Sequence, residues 1–297
     1  MQNLASRAPR ARSVTRRHMM GTTAAGLCVL SAPRLARGAS AVTFGVTPVF
    51  LVSDEQLLAR LESYLGRVLG HPLTLVKRRT YQEITALLLS GQLDAAWICG
   101  FPFVQYMDRL ELVAVPLYHK RPYYQSYLIA HRSHAAQRPE DLRGDTHAFS
   151  DPDSNSGWLV TRHWLATMNE SPATFFKRHF FTYGHRNVIR AVSSGLAMSG
   201  SVDGYVWDVV KELEPALVQG TRIIRKSEWL GFPPVCCGRS ASESPLTLAI
   251  RKALVSMSDH RDGRAILSML KLDGFAATES SVFDGIAEKW RVVRRLG

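Results

Sequence analysis

The chain has 297 residues, with 37 basic and 25 acidic side chains and a formal charge of +12. Seven of the basic residues are Arg within residues 1–41 (positions 7, 10, 12, 16, 17, 34 and 37), a segment with no Lys and no acid. The remaining 30 basic and 25 acidic residues are scattered, which argues against a nucleic-acid stripe, and no later run of 18 apolar residues marks a membrane span.

In chain order, Thr15-Arg16-Arg17-His18-Met19-Met20-Gly21 sets a twin arginine before a short apolar stretch, residues 22–32. Small residues follow, with Ala36-Arg37-Gly38 or Ala39-Ser40-Ala41 as the exit. A basic start, a short apolar region and a small-residue exit define a cleaved export signal over residues 1–41, and the paired Arg favours the twin-arginine route. The expected product is a periplasmic protein of about 256 residues. It keeps Cys99, Cys236 and Cys237, and spacing leaves open a bridge from Cys99 to one of the neighbouring pair. No CxxC or HExxH spacing suggests a metal, and His131 and His134 read as surface histidines.

From Val42 onward, strand-like and helix-like segments alternate. Residues 41–46 read as a strand and 54–69 as an amphipathic helix with Leu57, Leu58, Leu61, Leu65 and Leu69 on one side. A strand at 73–76, a helix at 81–90 stopped by Gly91, and a buried strand at 94–98 follow. Further strands are expected at 113–117, 127–130, 147–150, 180–183, 202–206, 221–225 and 233–237. Helices are expected at 158–168, 185–195 and 207–213, with a helical tail at 246–270. Repeated βα units of this length imply parallel strands covered by helices.

Asp151-Pro152-Asp153-Ser154-Asn155-Ser156-Gly157 is the segment with the most chemical content. Ser, Asn and Asp immediately before an amphipathic run are N-cap residues, placing a helix start at residues 154–157. Unpaired N–H groups and the positive end of the helix dipole make such a start an anion site. An ordinary capped helix is the competing reading of this segment alone. Open α/β sheets bind ligands beyond the carboxyl ends of their strands. That rule brings Ser154, Asn155 and Ser156 together with His185, with Trp207 and Asp208, with Cys99, Gly100 and Phe101, and with Thr47 and Pro48.

On these residues the chain resembles the phosphate/phosphite/phosphonate-binding proteins of ABC importers, the periplasmic PhnD-like family. The carriers are Asp151 to Gly157, matching DPxSxSG; Gly184-His185; Asp94-Ala95-Ala96-Trp97 with Gly100 and Phe101; and Val202-Asp203-Gly204-Tyr205-Val206-Trp207-Asp208. They run in order from Val42 to Ile250. The resemblance implies an α/β, two-lobed type II periplasmic-binding protein fold, each lobe a mixed sheet flanked by helices, with the ligand cleft between lobes. Residues 42–127 plus 224–297 would form one lobe and 128–223 the other, with crossings near 127–130 and 221–226. It implies that Ser154, Asn155, Ser156 and Gly157 grip a small anionic ligand, that Tyr81 and Tyr124 wall the cleft, and that His185 donates one more hydrogen bond, as imidazole or imidazolium. Hydrogen bonds to a charged group contribute about 1.5–3 kcal/mol each, so three or four support roughly micromolar binding after ordering costs. The implied partner is an ABC permease of the inner membrane, with a monomeric binding protein, no nucleic acid, no cofactor and no catalytic residue.

Two departures stand out. Asn155 occupies the position of the family's middle Thr. Gly231-Phe232-Pro233 places a phenyl ring where members that accept an aminoalkyl phosphonate carry an acid, and a buried ammonium needs an anionic partner. Asp208 is the candidate replacement. A ligand with a small or apolar tail is therefore expected: phosphate, phosphite or methylphosphonate before 2-aminoethylphosphonate. The alternatives are a binding protein for another organic anion such as a sulfonate, a binding protein feeding a sensor, and a periplasmic hydrolase, for which no GxSxG elbow exists.

Overall fold

Alternating βα periodicity resolves, in the computed structural model, into two mixed sheets with flanking helices. Residues 41–47 and 55–296 are described, within the compact unit Ala39–Gly297. The expected export signal through residue 40, Pro48 and the Asp54 helix start lie outside the described residues. The first half of the chain comprises β1 (Val42–Val46), α1 (Glu55–Leu69), β2 (Leu73–Lys77), α2 (Tyr81–Leu89), β3 (Ala95–Trp97), α3 (Gly100–Gln105), β4 (Leu110–Leu117), β5 (Tyr123–Tyr124), β6 (Ser126–His131) and β7 (Thr146–Phe149). Next come α4 (Val160–Thr167), α5 (Pro172–Phe175), β8 (Arg178–Phe181), α6 (His185–Ser193), β9 (Ser199–Asp203), α7 (Gly204–Leu213), α8 (Pro215–Val218) and β10 (Thr221–Lys226). The chain finishes with β11 (Leu230–Gly231), β12 (Val235–Gly238), α9 (Pro245–Val255), α10 (Arg261–Leu270), β13 (Gly274–Ala276) and α11 (Asp284–Leu296).

The first sheet has the order β13-β4-β12-β3-β1-β2, and the second β10-β6-β9-β7-β8. In the first, β1 runs parallel to β2 and β3, while β12 and β13 run antiparallel to their neighbours. In the second, β7 is parallel to β8 and β9, and β6 is antiparallel to β9 and β10. No helix among the described residues is long and apolar enough to cross a membrane.

The crossings lie just outside the expected strands. Both β6 and β10 belong wholly to the second sheet and pair with each other, so boundaries at 127/128 and 223/224 cut through strands. The chain passes between sheets through a separate two-stranded ladder, β5 with β11, in which Tyr124 pairs with Leu230 and Tyr123 with Gly231. Two residues per strand are too few to show an alternation pattern in sequence. The same ladder is tied inward where Phe232 N–H donates to Pro122 O at 2.9 Å and Trp97 Nε1–H donates to Pro233 O at 2.9 Å.

Three further differences follow from packing. The strand expected at 202–206 ends at Asp203, because Asp203 caps α7 by accepting the Val206 N–H, and Gly204 already belongs to the helix. Cys99, Cys236 and Cys237 are free and buried, so the open question of a Cys99 bridge is answered in the negative. Beyond the expected tail, β13 and α11 complete the first sheet and its cover. Phe283, fully buried just before α11, stands edge-on to Phe103 at 5.0 Å between ring centroids.

A buried polar chain holds α4 on the second sheet. His147 of β7 is hydrogen-bonded through Nδ1 to Ser199 Oγ (2.8 Å) and through Nε2 to Ser201 Oγ (2.9 Å), and Ser201 Oγ meets Thr161 Oγ1 of α4 at 2.6 Å. Burial pushes the His147 imidazole well below its usual range, so it is a neutral pin rather than a charge. The position of α4 matters because the donor-rich segment leads directly into it.

Because Phe283 fills the core under the interlobe ladder, Phe283→Ala is expected to destabilise the protein by about 3–5 kcal/mol. Urea unfolding followed by circular dichroism measures it; a loss under about 1 kcal/mol would show that the C-terminal segment is not part of the core.

Candidate functional site

The segment 151–157 folds as a cap, then a wide turn, then α4. Ser154 is the N-cap, its Oγ accepting the Gly157 N–H at 3.0 Å. Asn155–Leu159 form a π-helical turn in which the Leu159 N–H donates to Ser154 O and the Val160 N–H to Asn155 O. Such turns widen the helix and are frequent at functional sites. A Cβ on residue 157 would lie 1.8 Å from Ser150 Oγ and 3.0 Å from Ser154 Oγ, so only glycine allows the two hydroxyls this close to the backbone. The start is anchored from the crossing as well: Ser126 Oγ donates to Ser156 O at 2.6 Å, and the Ser126 N–H donates to Ser227 Oγ at 2.9 Å.

Around this start the structure brings together most of the expected residues. Tyr81, the first residue of α2, is fully buried, with its hydroxyl 3.2 Å from His185 Nε2. Tyr124 of β5 is equally buried and accepts a hydrogen bond from Asn155 Nδ2 at 2.8 Å. Ser150 Oγ, Asn155 Oδ1 and Ser156 Oγ are buried without a protein partner. Burial raises the Tyr81 and Tyr124 hydroxyls well above their usual range, so both remain neutral donors.

His185 has one defined tautomer. Its Nδ1 accepts the Asp203 backbone N–H at 3.0 Å, and a backbone N–H can only donate. Burial pushes the ring down to about 3, so the imidazolium option is removed and the single proton sits on Nε2. Nε2–H then donates to Tyr81 Oη, which leaves the Tyr81 O–H to be given elsewhere. The Tyr124 hydroxyl accepts from Asn155 and has Ser156 beside it.

Four residues join the set that strand-end reasoning gave no role there, Asp151, Asp203, Ser126 and Ser150, beside Cys99, which it did bring here. Asp151 is buried, its Oδ2 accepting the Tyr81 N–H at 3.3 Å and its Oδ1 the Asp153 N–H at 2.8 Å. Asp203 is buried at the N-cap of α7. Burial pushes the Asp151 carboxyl up to about 6 and the Asp203 carboxyl up to about 8. Cys99 Sγ accepts the Asn155 N–H at 3.2 Å, and burial pushes its thiol up to about 12. Ser126 and Ser150 supply the two hydroxyls described above. An Asp followed by Gly before an amphipathic helix is an N-cap signal that could have identified Asp203.

Phe232 and Asp208 belong to the aromatic side of the set, next to the donors. The Phe232 ring is fully buried in an aromatic group, with centroids 5.6 Å from Tyr124, 5.1 Å from Tyr205 and 6.3 Å from Tyr118. With β9 ending at Asp203, Asp208 falls in the second turn of α7, accepts the Tyr127 hydroxyl at 2.8 Å and lies beside Tyr118 as well. Thr47 is buried at the end of β1, spending its hydroxyl on Trp97 O at 3.1 Å. A separate cavity of about 200 Å³, lined by residues including Thr161, His163, Arg225, Glu228 and Lys289, shares only Ser126 with this set, and its Lys289 is paired with Glu228. No group of three or more His, Cys, Asp or Glu that could hold a metal occurs among the described residues.

Comparison with known proteins places these features in context. The family model described as the periplasmic substrate-binding protein of phosphonate ABC transporters matches residues 44–283. A binding protein component of an ABC phosphonate transporter from Pseudomonas aeruginosa superposes with a TM-score of 0.79 at 18% identity, over 86% of this chain and 87% of that one. PhnD1 from Prochlorococcus marinus, solved in complex with methylphosphonate, gives 0.77 at 15% identity over 86% and 98%. A Xanthomonas citri protein bound to chloride gives 0.69 at 15% identity over 87% and 99%. These likenesses establish the two-lobed type II periplasmic-binding fold.

Cap geometry separates the two serines. Ser154→Ala removes the N-cap acceptor and is expected to cost about 1 kcal/mol of stability. Ser156→Ala removes a hydroxyl with no protein partner, so the unliganded melting temperature should hold while phosphonate affinity falls about tenfold or more. Thermal unfolding and calorimetry on the two variants check this; a destabilised Ser156→Ala that binds normally would show the hydroxyl to be structural.

Proposed function

On the premise that this chain belongs to the phosphonate-binding periplasmic substrate-binding proteins of ABC transporters, we propose that it captures a small phosphorus oxyanion with a short or apolar substituent. Phosphate, phosphite and methylphosphonate are the ligands of choice. The observation that carries the proposal is the set of buried, neutral donors around the Ser154 helix start: Ser156 Oγ and the Tyr81 and Tyr124 hydroxyls. Each has an acceptor side already used or a hydrogen with no protein acceptor, and a tetrahedral oxyanion offers acceptors on several faces.

The substituent preference rests on Phe232. An aminoalkyl tail carries an ammonium, which is costly to bury without a carboxylate. Phe232, Tyr205 and Tyr118 present rings, and Asp208 is engaged by Tyr127. Binding without catalysis fits the same geometry. Both His185 nitrogens are occupied, by Asp203 N–H and Tyr81 Oη, so no serine–imidazole pair exists there to generate a nucleophile.

Residues 1–41 act in this reading as a twin-arginine export signal removed on the way to the periplasm. The liganded monomer then delivers its cargo to the permease of its transporter.

Calorimetry with a ligand panel is the test. Methylphosphonate, phosphite or phosphate should bind at least about tenfold more tightly than 2-aminoethylphosphonate, a difference of about 1.4 kcal/mol. Methanesulfonate should bind more weakly than these. Tightest binding of the aminoethyl compound would overturn the substituent preference, and heat from the sulfonate alone would overturn the phosphorus reading.

A further inference from the structure

The groups that most strongly influence the donor set are acidic. Beyond burial itself, the largest influences of ionisable groups on Tyr81, Tyr124, Cys99, Asp151 and Asp203 come from Cys99, Tyr124, Asp151, Asp153, Asp203 and Asp208, none of them a base. His185 is neutral. Arg186, next to it, is paired bidentately with Glu214. Among the described residues, no Lys or Arg is hydrogen-bonded or ion-paired to this set.

What positive field exists comes from helix ends, each equivalent to roughly half an elementary charge. Four helices of eight residues or more begin at the set: α2, α4 with its π turn, α6 and α7. Two of the four are already met by protein carboxylates. Asp151 Oδ2 accepts the Tyr81 N–H at the start of α2, which Glu83 also caps, and Asp203 accepts the Val206 N–H at the start of α7. The α6 start at Gly184 has no side-chain cap. The start at Asn155 is capped by the neutral Ser154 hydroxyl. Two free ends amount to roughly one positive charge, half of what a dianion requires.

Resting on the phosphorus-oxyanion reading above, we infer that this site selects the singly charged form of its ligand, and that Asp203 enforces the selection. Asp203 touches the donor set through its own N–H on His185 Nδ1, and its carboxyl occupies a helix end that a second ligand charge would need. Asn155 Oδ1, a buried acceptor without a protein partner, suits a protonated ligand oxygen better than an ionised one. The medium that raises the Asp151 and Asp203 carboxyls penalises a second ligand charge in the same way. The other titratable groups facing this set are Tyr118, Tyr127 and Tyr205, all raised by burial and neutral.

Proton bookkeeping gives the sign. Below the ligand's second ionisation the free ligand already carries the needed proton and binding exchanges none. Above it the free ligand is a dianion, so binding takes up one proton and affinity falls about tenfold per pH unit, and once the Asp203 carboxyl ionises at about 8 its own negative charge steepens that loss. The experiment is calorimetry with methylphosphonate from pH 5 to pH 9, repeated in buffers of different ionisation enthalpy to count protons. Expected are uptake near zero at the acid end, about one proton at the alkaline end, and the matching loss of affinity. Asp203→Asn keeps a cap acceptor for Val206 N–H while removing the charge. It should bind at pH 9 more tightly than the native protein does, with less proton uptake. Affinity that is level or rises toward pH 9, without proton uptake, overturns this inference alone. Unchanged uptake and affinity in a folded Asp203→Asn overturns the role of Asp203. No binding at any pH overturns the ligand reading and this inference with it.

Discussion

The hydrogen bond from the Asp203 backbone N–H to His185 Nδ1 is the contact on which the donor geometry depends. It joins the end of β9 to the start of α6, and it allows only one tautomer. The ring's proton is placed on Nε2, Nε2 supplies Tyr81 Oη, and Tyr81 is left with a hydrogen to give. A chain of two such bonds turns a neutral imidazole into a polarising group without importing a charge. Asn155 does the same for Tyr124 from the other side.

Neutral donors are a physical choice with consequences. A buried Lys or Arg would carry a large desolvation cost whenever the site is unliganded, and would hold any anion of the right size. Hydroxyls and backbone N–H groups cost less to bury, and their directions discriminate by shape. The aromatic group of Tyr118, Tyr124, Tyr205 and Phe232 borders this polar set. Polar grip and apolar wall meet at Tyr124, whose hydroxyl belongs to one and whose ring belongs to the other.

Much of this was legible in the residues. Ser154 through Gly157 ahead of an amphipathic run announced a helix start, and Gly184-His185 after a strand announced a second one. The strand read over 202–206 runs too far, and only the capping of α7 by Asp203 shows that it stops three residues earlier, which puts Asp208 in the second turn of the helix. The ladder of β5 with β11 was invisible because two-residue strands carry no periodicity. The C-terminal strand and helix were missed because β13 is three residues long and the helix follows a polar turn.

Local sequence determined the elements, their order, the helix start at Ser154 and the supply of small hydroxyl and amide donors, since capping and periodicity act over a few neighbours. Tertiary structure alone decided which of those donors remain free. Ser154 is partly spent on Gly157, Thr47 on Trp97, Asp208 on Tyr127, and His185 holds its proton on Nε2 because Asp203 lies against its other nitrogen. Each of these outcomes except the Ser154 cap is set by a partner 18 or more residues away, across sheets and helix ends that no local pattern encodes.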